Sequence, residues 1–150
     1  MRCKTGDVAD NAAAKGMSDQ ALDCFGHIDI VINNAGNLRD VICHKMTEDD
    51  WDAVINANLR GAFATCRAAS RGMMKRRYGR IINISSQWGI AGAPTASQYA
   101  GAKAALIGYT KAWAKELASF GITVNSVAPG YIMTPMTAHS KRSPEVFAER

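Results

Sequence analysis

The 150-residue sequence contains no long hydrophobic run, no internal repeat and no low-complexity tract. A membrane-spanning helix needs about eighteen or more consecutive apolar residues, and since the sequence has no such run, no membrane attachment is expected. Met1 is not followed by an apolar segment, so no secretory signal peptide is expected either. A reducing cytoplasm is therefore the expected location.

Residue patterns typical of metal sites and disulfide frameworks are also missing. The four cysteines form no CxxC pair, which argues against a zinc ribbon and a thioredoxin motif. His27, His44 and His139 are too scattered for a metal-binding motif, so no metal site is expected. The cysteines are Cys3, Cys24, Cys43 and Cys66.

The net charge of +5 is concentrated in one basic cluster. The cluster lacks the series of aromatic residues that a single-strand-binding surface needs, so no nucleic acid is expected. Two interpretations stay open: a solvated helix C-terminus, where cations complement the helix dipole, or attraction of a phosphorylated carrier such as coenzyme A or acyl carrier protein. The cluster consists of Arg67, Arg71, Lys75, Arg76, Arg77 and Arg80.

Short β-rich runs alternate with longer helical stretches along the chain, which is 47% hydrophobic and long enough for one core. This alternation predicts βαβ units in a doubly wound α/β fold, with a parallel sheet and helices on both faces. Thr47 and Asp50 stand at the spacing of a capping box. Helices are predicted over 11–25, 47–76 and 97–119, and strands over 28–32, 80–85 and 122–127.

Small and polar residues follow each predicted strand. In a doubly wound fold, ligands bind beyond the carboxyl ends of the strands, so these loops are expected to form one site. The loops contain Asn33-Asn34, Ser85-Ser86, Asn125-Ser126 and Pro129-Gly130.

Tyr99 and Lys103 stand four residues apart on the third predicted helix, which places both on one face. A tyrosine is a poor acid-base catalyst near neutral pH, and a nearby ammonium is expected to lower its pKa. Ser86 closes the second strand, where its hydroxyl could bind the same substrate oxygen. Asn58 stands mid-helix, which predicts either a solvent-facing residue or a functional one.

These motifs together resemble the short-chain dehydrogenase/reductase family. The residues, in chain order, are Asn33-Asn34-Ala35-Gly36, Asn58, Ser86, Tyr99 with Lys103, and Pro129-Gly130. The resemblance covers the chain from about residue 6 to 137. The stretches 34–52, 79–86 and 121–136 are most similar to bacterial 3-oxoacyl-carrier-protein reductases and acetoacetyl-CoA reductases.

The resemblance implies a role for each matching position. Tyr99 would be the general acid that protonates the carbonyl oxygen, and Lys103 would lower its pKa and hold the nicotinamide ribose. Ser86 would orient the substrate carbonyl, and Asn58 would hold a water that links Lys103 to solvent. Cofactor contacts are implied for Asp7, Val8, Asn34, Ala35, Gly36, Tyr99, Lys103, Pro129, Gly130 and Ile132, and substrate contacts for Ser86, Gln87, Trp88, Tyr99 and Tyr131.

The sequence departs from the family pattern at two points. The glycine-rich loop that approaches the cofactor pyrophosphate is absent, and Thr5-Gly6 does not replace it. Residues 1–150 are therefore expected to form a single partial dinucleotide-binding and catalytic domain, lacking the first strands and the last. Such a chain is expected to bind nicotinamide cofactor poorly and to fold poorly alone. Phe120 stands where carrier-protein reductases often have a basic residue.

The resemblance implies an NAD(P)H-dependent reductase that converts a 3-oxoacyl thioester of acyl carrier protein or CoA to the 3-hydroxyacyl thioester. It favours NADP(H) over NAD(H) and implies a homo-oligomer, usually a tetramer. Two alternatives stay open. The protein is either an NAD-dependent dehydrogenase of secondary alcohols or sugars, or a non-catalytic fragment that acts only in oligomerisation or binding.

Overall fold

The computed structural model describes residues 4–134 and residue 137. Five α-helices and three β-strands alternate along this part of the chain. The helices are α1 (Asn11–Phe25), α2 (Glu48–Ile55), α3 (Gly61–Arg76), α4 (Trp88–Ala91) and α5 (Ser97–Leu117). The strands are β1 (Ile30–Asn33), β2 (Gly79–Ile84) and β3 (Ile122–Val127), and a π-helical segment, Asn56–Arg60, separates α2 from α3.

The three strands form one parallel sheet in the order β1-β2-β3. Val31 pairs with Ile81, and Ile81 pairs with Val124, so these side chains share one face of the sheet. The parallel sheet with intervening helices confirms the predicted α/β class.

The hydrophobic core lies between this face of the sheet and the helices α3 and α5. Met73 from α3 and Leu117 from α5 are buried together with Ile81 and Val124. The opposite face carries Ile30 and Ile32, which are 57% and 61% exposed. Helices were predicted on both faces of the sheet. In the described part of the chain, they cover one face.

Local capping interactions fix both ends of α1 and the start of α2. The Asp10 side chain accepts a hydrogen bond from the Ala12 amide at the start of α1, and Gly26 ends this helix at a φ of 76°. At the start of α2, Thr47 and Asp50 form the predicted capping box.

The prediction of one helix over 47–76 is wrong, because a π-helical segment interrupts it. The Gly61 amide bonds to the Asn56 carbonyl, five residues back, which is the π-helical pattern. The predicted end of this helix near Arg76 is confirmed, because α3 ends at Arg76 and Arg77 follows with a φ of 55°. Gly79 begins β2, where an added Cβ would lie 2.5 Å from the Met73 sulfur.

In the described part of the chain, no helix combines the length and apolar character needed to cross a membrane.

Candidate active site

A cavity of about 500 Å³ opens at the carboxyl ends of the strands. The loops after β1, β2 and β3 meet here with the first turns of α5, as expected for a doubly wound sheet. Most of the predicted site residues line this cavity. The predicted residues that line it are Asn34, Ala35, Gly36, Asn58, Ser86, Gln87, Trp88, Tyr99, Lys103, Pro129, Gly130, Tyr131 and Ile132.

Lys103 is held by the end of β2 on the buried side of α5. Its Nζ donates to the Ile84 carbonyl at 2.8 Å, and the Ser85 hydroxyl donates to the Lys103 carbonyl at 2.7 Å. The residue is only 4% exposed. Burial disfavours the ammonium and lowers the pKa of Lys103 to about 8. Near neutral pH, this lysine is therefore a cation that gives up its proton easily.

Tyr99 stands one helical turn before Lys103, and the Lys103 Nζ lies 5.5 Å from the centroid of the Tyr99 ring. The expectation that Lys103 lowers the Tyr99 pKa is wrong for this structure. Burial raises the pKa of Tyr99, and a hydrogen bond with Ser86 acts weakly in the opposite direction. Burial thus keeps the phenol protonated near neutral pH, while the Lys103 amine is hydrogen-bonded to the Ile84 carbonyl.

Ser86 is fixed by the short helix that follows it. Its hydroxyl accepts a hydrogen bond from the Trp88 amide at 3.2 Å. Gly89 lets this helix approach α5 closely, because an added Cβ would lie 2.7 Å from the Lys103 carbonyl carbon. The Trp88 ring meets the Tyr99 ring edge to face, with centroids 6.0 Å apart. The contact shapes one wall of the cavity beside the phenol.

Asn58 lies in the π-helical segment and is 2% exposed, so the solvent-facing interpretation of this residue is wrong. Its Nδ2 donates to the carbonyls of Asn37 at 2.8 Å and Val54 at 2.9 Å. Its Oδ1 is buried without a partner among the described residues. A Cβ on Gly36 would lie 2.4 Å from this oxygen and 3.6 Å from the Lys103 Nζ. Gly36 therefore keeps open the space between an unpaired acceptor and a buried amine.

The loop after β3 closes the other side of the cavity. The Gln87 amide donates to the Pro129 carbonyl at 2.9 Å, which ties this loop to the end of β2. A Cβ on Gly130 would lie 3.4 Å from the Gln87 Oε1. These contacts place Pro129, Gly130 and Tyr131 around one opening.

Two predicted cofactor residues, Asp7 and Val8, lie away from this cavity. Asp7 is exposed, and its carboxylate accepts a hydrogen bond from the Ala9 amide at 2.9 Å. Val8 packs against α3, where a Cβ on Gly61 would lie 2.6 Å from its Cγ2. The structure thus brings the other predicted site residues together without these two.

Several residues at the site were not singled out from the sequence. Gly89 and Asn83 belong to this group. The one sequence signal for them was Asn83, a polar residue within the apolar run of β2. Leu38, Ile84, Thr134 and Thr137 also line the cavity, together with Ser85, which the sequence had indicated as part of a loop at this site.

Three residues of the basic cluster, Arg76, Arg77 and Arg80, lie at the amino end of β2, opposite the cavity. Arg77 donates to the Ser119 carbonyl at 2.7 Å, and Arg80 stacks on the Tyr78 ring with its guanidinium carbon 4.6 Å from the centroid. Arg76 forms an ion pair with Asp29 at 2.9 Å. These residues flank the amino end of β2, which is about 20 Å from its carboxyl end. The cluster is therefore a separate surface from the cavity.

Other reactive chemistry is scarce in the described residues. Burial raises the pKa of the Cys66 thiol to about 11, so it stays protonated at neutral pH. Within the range that the structure describes, no group of three histidine, cysteine or acidic side chains could hold a metal ion.

The sequence is similar to those of known proteins. Residues 1–145 match the family model described as short chain dehydrogenase. A 3-oxoacyl-[acyl-carrier-protein] reductase of Thermotoga maritima is 48% identical over 131 residues, which are 87% of this chain and 53% of that protein. A 3-oxoacyl-[acyl-carrier-protein] reductase of Synechocystis is 50% identical over 123 residues, or 82% of this chain and 50% of that protein.

A relative that is named for a different activity has a similar sequence identity to this chain. The (2S)-[(R)-hydroxy(phenyl)methyl]succinyl-CoA dehydrogenase subunit BbsD of Thauera aromatica is 47% identical over 130 residues, which are 87% of this chain and 52% of that protein. The chain spans about half the length of the curated relatives that it matches.

Proposed function

The chain belongs to the short-chain dehydrogenase family, and on that premise we propose that it forms part of an NAD(P)H-dependent reductase of 3-oxoacyl thioesters. The observation that carries the proposal is the arrangement of Ser86, Tyr99 and Lys103 around one cavity at the carboxyl ends of the strands. The 3-oxoacyl-[acyl-carrier-protein] reductases among the relatives support this substrate class. The 150 residues then act as one partial dinucleotide-binding and catalytic domain.

Tyr99 is the proton donor in this proposal. Its raised pKa keeps the phenol protonated, which suits reduction, because the developing alkoxide needs a proton. The Ser86 hydroxyl binds the same substrate oxygen and holds it beside the phenol. These two side chains orient the carbonyl and supply its proton.

Lys103 and Asn58 return a proton to the site. Lys103 has a pKa of about 8 and therefore exchanges its proton readily near neutral pH. The unpaired Asn58 Oδ1 faces the space kept open by Gly36, where a water bridging this oxygen and Lys103 would be well held. Proton flow then runs from solvent past Asn58 to Lys103 and Tyr99.

The residues around the cavity fit a nicotinamide group. The absent side chain at Gly36 leaves a gap beside the Lys103 Nζ, and the loop over 129–132 borders the same opening. When bound, the nicotinamide supplies the hydride. Asn34, Ala35, Pro129, Gly130 and Ile132 would hold it, and Lys103 would bind its ribose. NADP(H) is proposed over NAD(H), as the resemblance to 3-oxoacyl-carrier-protein reductases implies.

The acyl group is carried by acyl carrier protein or CoA. The basic cluster near the amino end of β2 offers a positively charged surface for a phosphorylated carrier. A homo-oligomer, most simply a tetramer, is the proposed assembly. The apolar surface of α3 and α5 that carries Phe63, Tyr109 and Trp113 suits contact with a second copy.

A second candidate function is oxidation of a secondary alcohol on a CoA thioester that carries an aryl group. The Trp88 ring beside Tyr99 favours it, since an aromatic wall suits an aryl substituent. The activity for which the Thauera aromatica relative is named also supports this candidate.

The test is an assay of the protein expressed from its gene with any in-frame codons that flank the 150 residues. Acetoacetyl-CoA with NADPH or NADH should yield 3-hydroxybutyryl-CoA, measured by mass spectrometry and by loss of reduced nicotinamide absorbance. Turnover of aryl-bearing 3-hydroxyacyl-CoA with NAD, in the absence of acetoacetyl-CoA reduction, would instead support the second candidate. A protein that binds no nicotinamide nucleotide and turns over neither thioester would leave only the non-catalytic alternative.

A further inference from the structure

A continuous chain of hydrogen bonds crosses the core from α3 to α5. The Thr65 hydroxyl on α3 donates to the Asn33 Oδ1 on β1. The Asn33 Nδ2 donates to the Asn83 Oδ1 on β2 at 2.8 Å, and the Asn83 Nδ2 donates to the Thr110 hydroxyl on α5 at 2.9 Å. Thr110 then donates to the Leu106 carbonyl at 2.8 Å, which ends the chain within α5.

The donors of this hydrogen-bond series point in one direction, and its members are buried at Asn83 and Thr110 and partly buried at Asn33 and Thr65. Asn83 is fully buried, and Thr110 is 6% exposed. Asn33 and Asn83 occupy partner positions in the register of β1 and β2, so their side chains meet on the core face of the sheet. The second Asn33 amide hydrogen is directed to the Cys66 sulfur at 3.1 Å. Hydrogen bonds aligned in this way strengthen one another, and an unpaired member would be costly in the core.

The threonines at the two ends of this hydrogen-bond series are equally far along the sequence from an active-site residue. Thr65 lies seven residues after Asn58, and Thr110 lies seven residues after Lys103. Both threonines therefore lie about 10 Å further along their helices, on the side away from the cavity. The helix carrying Asn58 and the helix carrying Lys103 are thus linked through the two sheet asparagines.

We propose that Thr65, Asn33, Asn83 and Thr110 form a cross-brace that sets the spacing of Asn58 and Lys103, so that all four are positioning residues for proton transfer. The strand ends hold Lys103 at one level, through Ile84 and Ser85, and the cross-brace holds α5 two turns further down. Two attachments fix both the rotation of the helix and its position along its axis. Without the second attachment, only apolar packing would set the orientation of α5 beyond the end of β2.

The cross-brace rests on the proposed function for its catalytic consequence, although its geometry does not. The test replaces Thr110 with valine, which keeps the shape and removes the hydroxyl, and with serine, which restores the hydroxyl. Thr110→Val should lower kcat about tenfold with KM for acetoacetyl-CoA nearly unchanged, since the site is misaligned rather than emptied. Thr110→Ser should return kcat to within about twofold of the parent. Thr123→Val, at an exposed threonine on β3, is the matched control.

Thr65→Val tests the other end of the cross-brace and serves if Thr110→Val fails to fold. The double variant Thr65→Val with Thr110→Val should lose no more kcat than the worse single variant, because either change breaks the same unit. Hydrogen exchange measured by mass spectrometry should speed up in α5 for both single variants and remain unchanged in α1.

Full kcat in the valine variants, multiplicative losses in the double variant or unchanged exchange in α5 would each overturn the cross-brace. If the parent protein turns over no thioester, the proposed function fails. The exchange data then still decide whether the cross-brace holds α5.

Discussion

The Lys103 ammonium nitrogen lies 5.5 Å from the centroid of the Tyr99 ring, while its hydrogen bond goes to the carbonyl of Ile84. The lysine is therefore held beside the phenol by the backbone of β2 and not by a carboxylate. A backbone carbonyl compensates only part of the cost of burying a charge. This relationship gives the site an amine that titrates near pH 8 next to a phenol that stays protonated.

Lys103→Met should change how stability depends on pH. The Lys103 pKa is about 8 in the folded protein, against 10.5 for a free lysine, so folding below pH 8 carries the cost of a buried ammonium. In the parent protein this cost is relieved as pH rises from about 8 to 10.5, because the unfolded chain then binds a proton that the folded chain does not. The cost is on the order of 3 kcal/mol.

Urea unfolding across pH 7 to 10 measures this effect, with pH values chosen around the value of about 8. Lys103→Met should be more stable than the parent at pH 7 and should lose the rise in stability above pH 8 that Lys103 contributes. Lys111→Met removes an exposed lysine from the same helix and is the matched control. If stability depended on pH identically in the parent and in Lys103→Met, burial would not shift the pKa of Lys103.

Tyr99→Phe should abolish most thioester reduction while leaving the fold intact. The phenol is the proposed proton donor, and loss of a positioned acid typically lowers the rate by about 10²–10⁴. The ring and its edge-to-face contact with Trp88 are kept, so the thermal midpoint should move little. Tyr109→Phe, on the same helix with its ring against Trp113, should keep full activity. Activity retained in Tyr99→Phe would remove this residue from its proposed role.

Gly36→Ala should inactivate the protein more than it destabilises it. The new Cβ would lie 2.4 Å from the Asn58 Oδ1, so the asparagine must move and the gap beside Lys103 must fill. Gly72→Ala is the control, because a Cβ there meets nothing within 4 Å and alanine favours the helix by about 0.5–1 kcal/mol. Steady-state kinetics and thermal unfolding of both variants separate the two effects. Equal activity in the two variants would contradict the tight approach of Gly36 to Asn58.

Trp88→Ala should widen substrate choice. Its ring forms a wall of the cavity beside Tyr99, so its removal should raise kcat/KM for long-chain 3-oxoacyl thioesters relative to acetoacetyl-CoA. Ile90→Ala shortens an exposed side chain in the same short helix and is the matched control. Kinetics over a series of acyl lengths measure the change. If both variants keep the parent's preference, Trp88 does not limit the acyl chain.

The sequence predicted the elements whose ends have local chemical signals. Asp10 and Gly26 bound α1, and Thr47 with Asp50 begins α2, because caps and left-handed glycines act over a few residues. The gathering of Ser86, Tyr99 and Lys103 at one cavity was also predictable, since the carboxyl ends of parallel strands meet at one edge.

The remaining features depend on contacts between distant residues. The π-helical segment at Asn56–Arg60 has no local signal that separates it from an ordinary helix. The Thr65-to-Thr110 hydrogen bonds need the register of β1 against β2, which only the folded sheet provides. The direction of the Tyr99 pKa shift depends on burial, which helix spacing does not describe.

The π-helical segment makes the number of residues between Thr47 and Thr65 a property on which the chemistry depends. An α-helix would close the same turn with one residue fewer, since its amides reach back four residues and not five. Deleting Ala57 would therefore leave a continuous α-helix in which the turns before and after the deletion keep their relative orientation. The helix would survive and Thr65 would still face the sheet, but the wider turn that carries Asn58 would be lost.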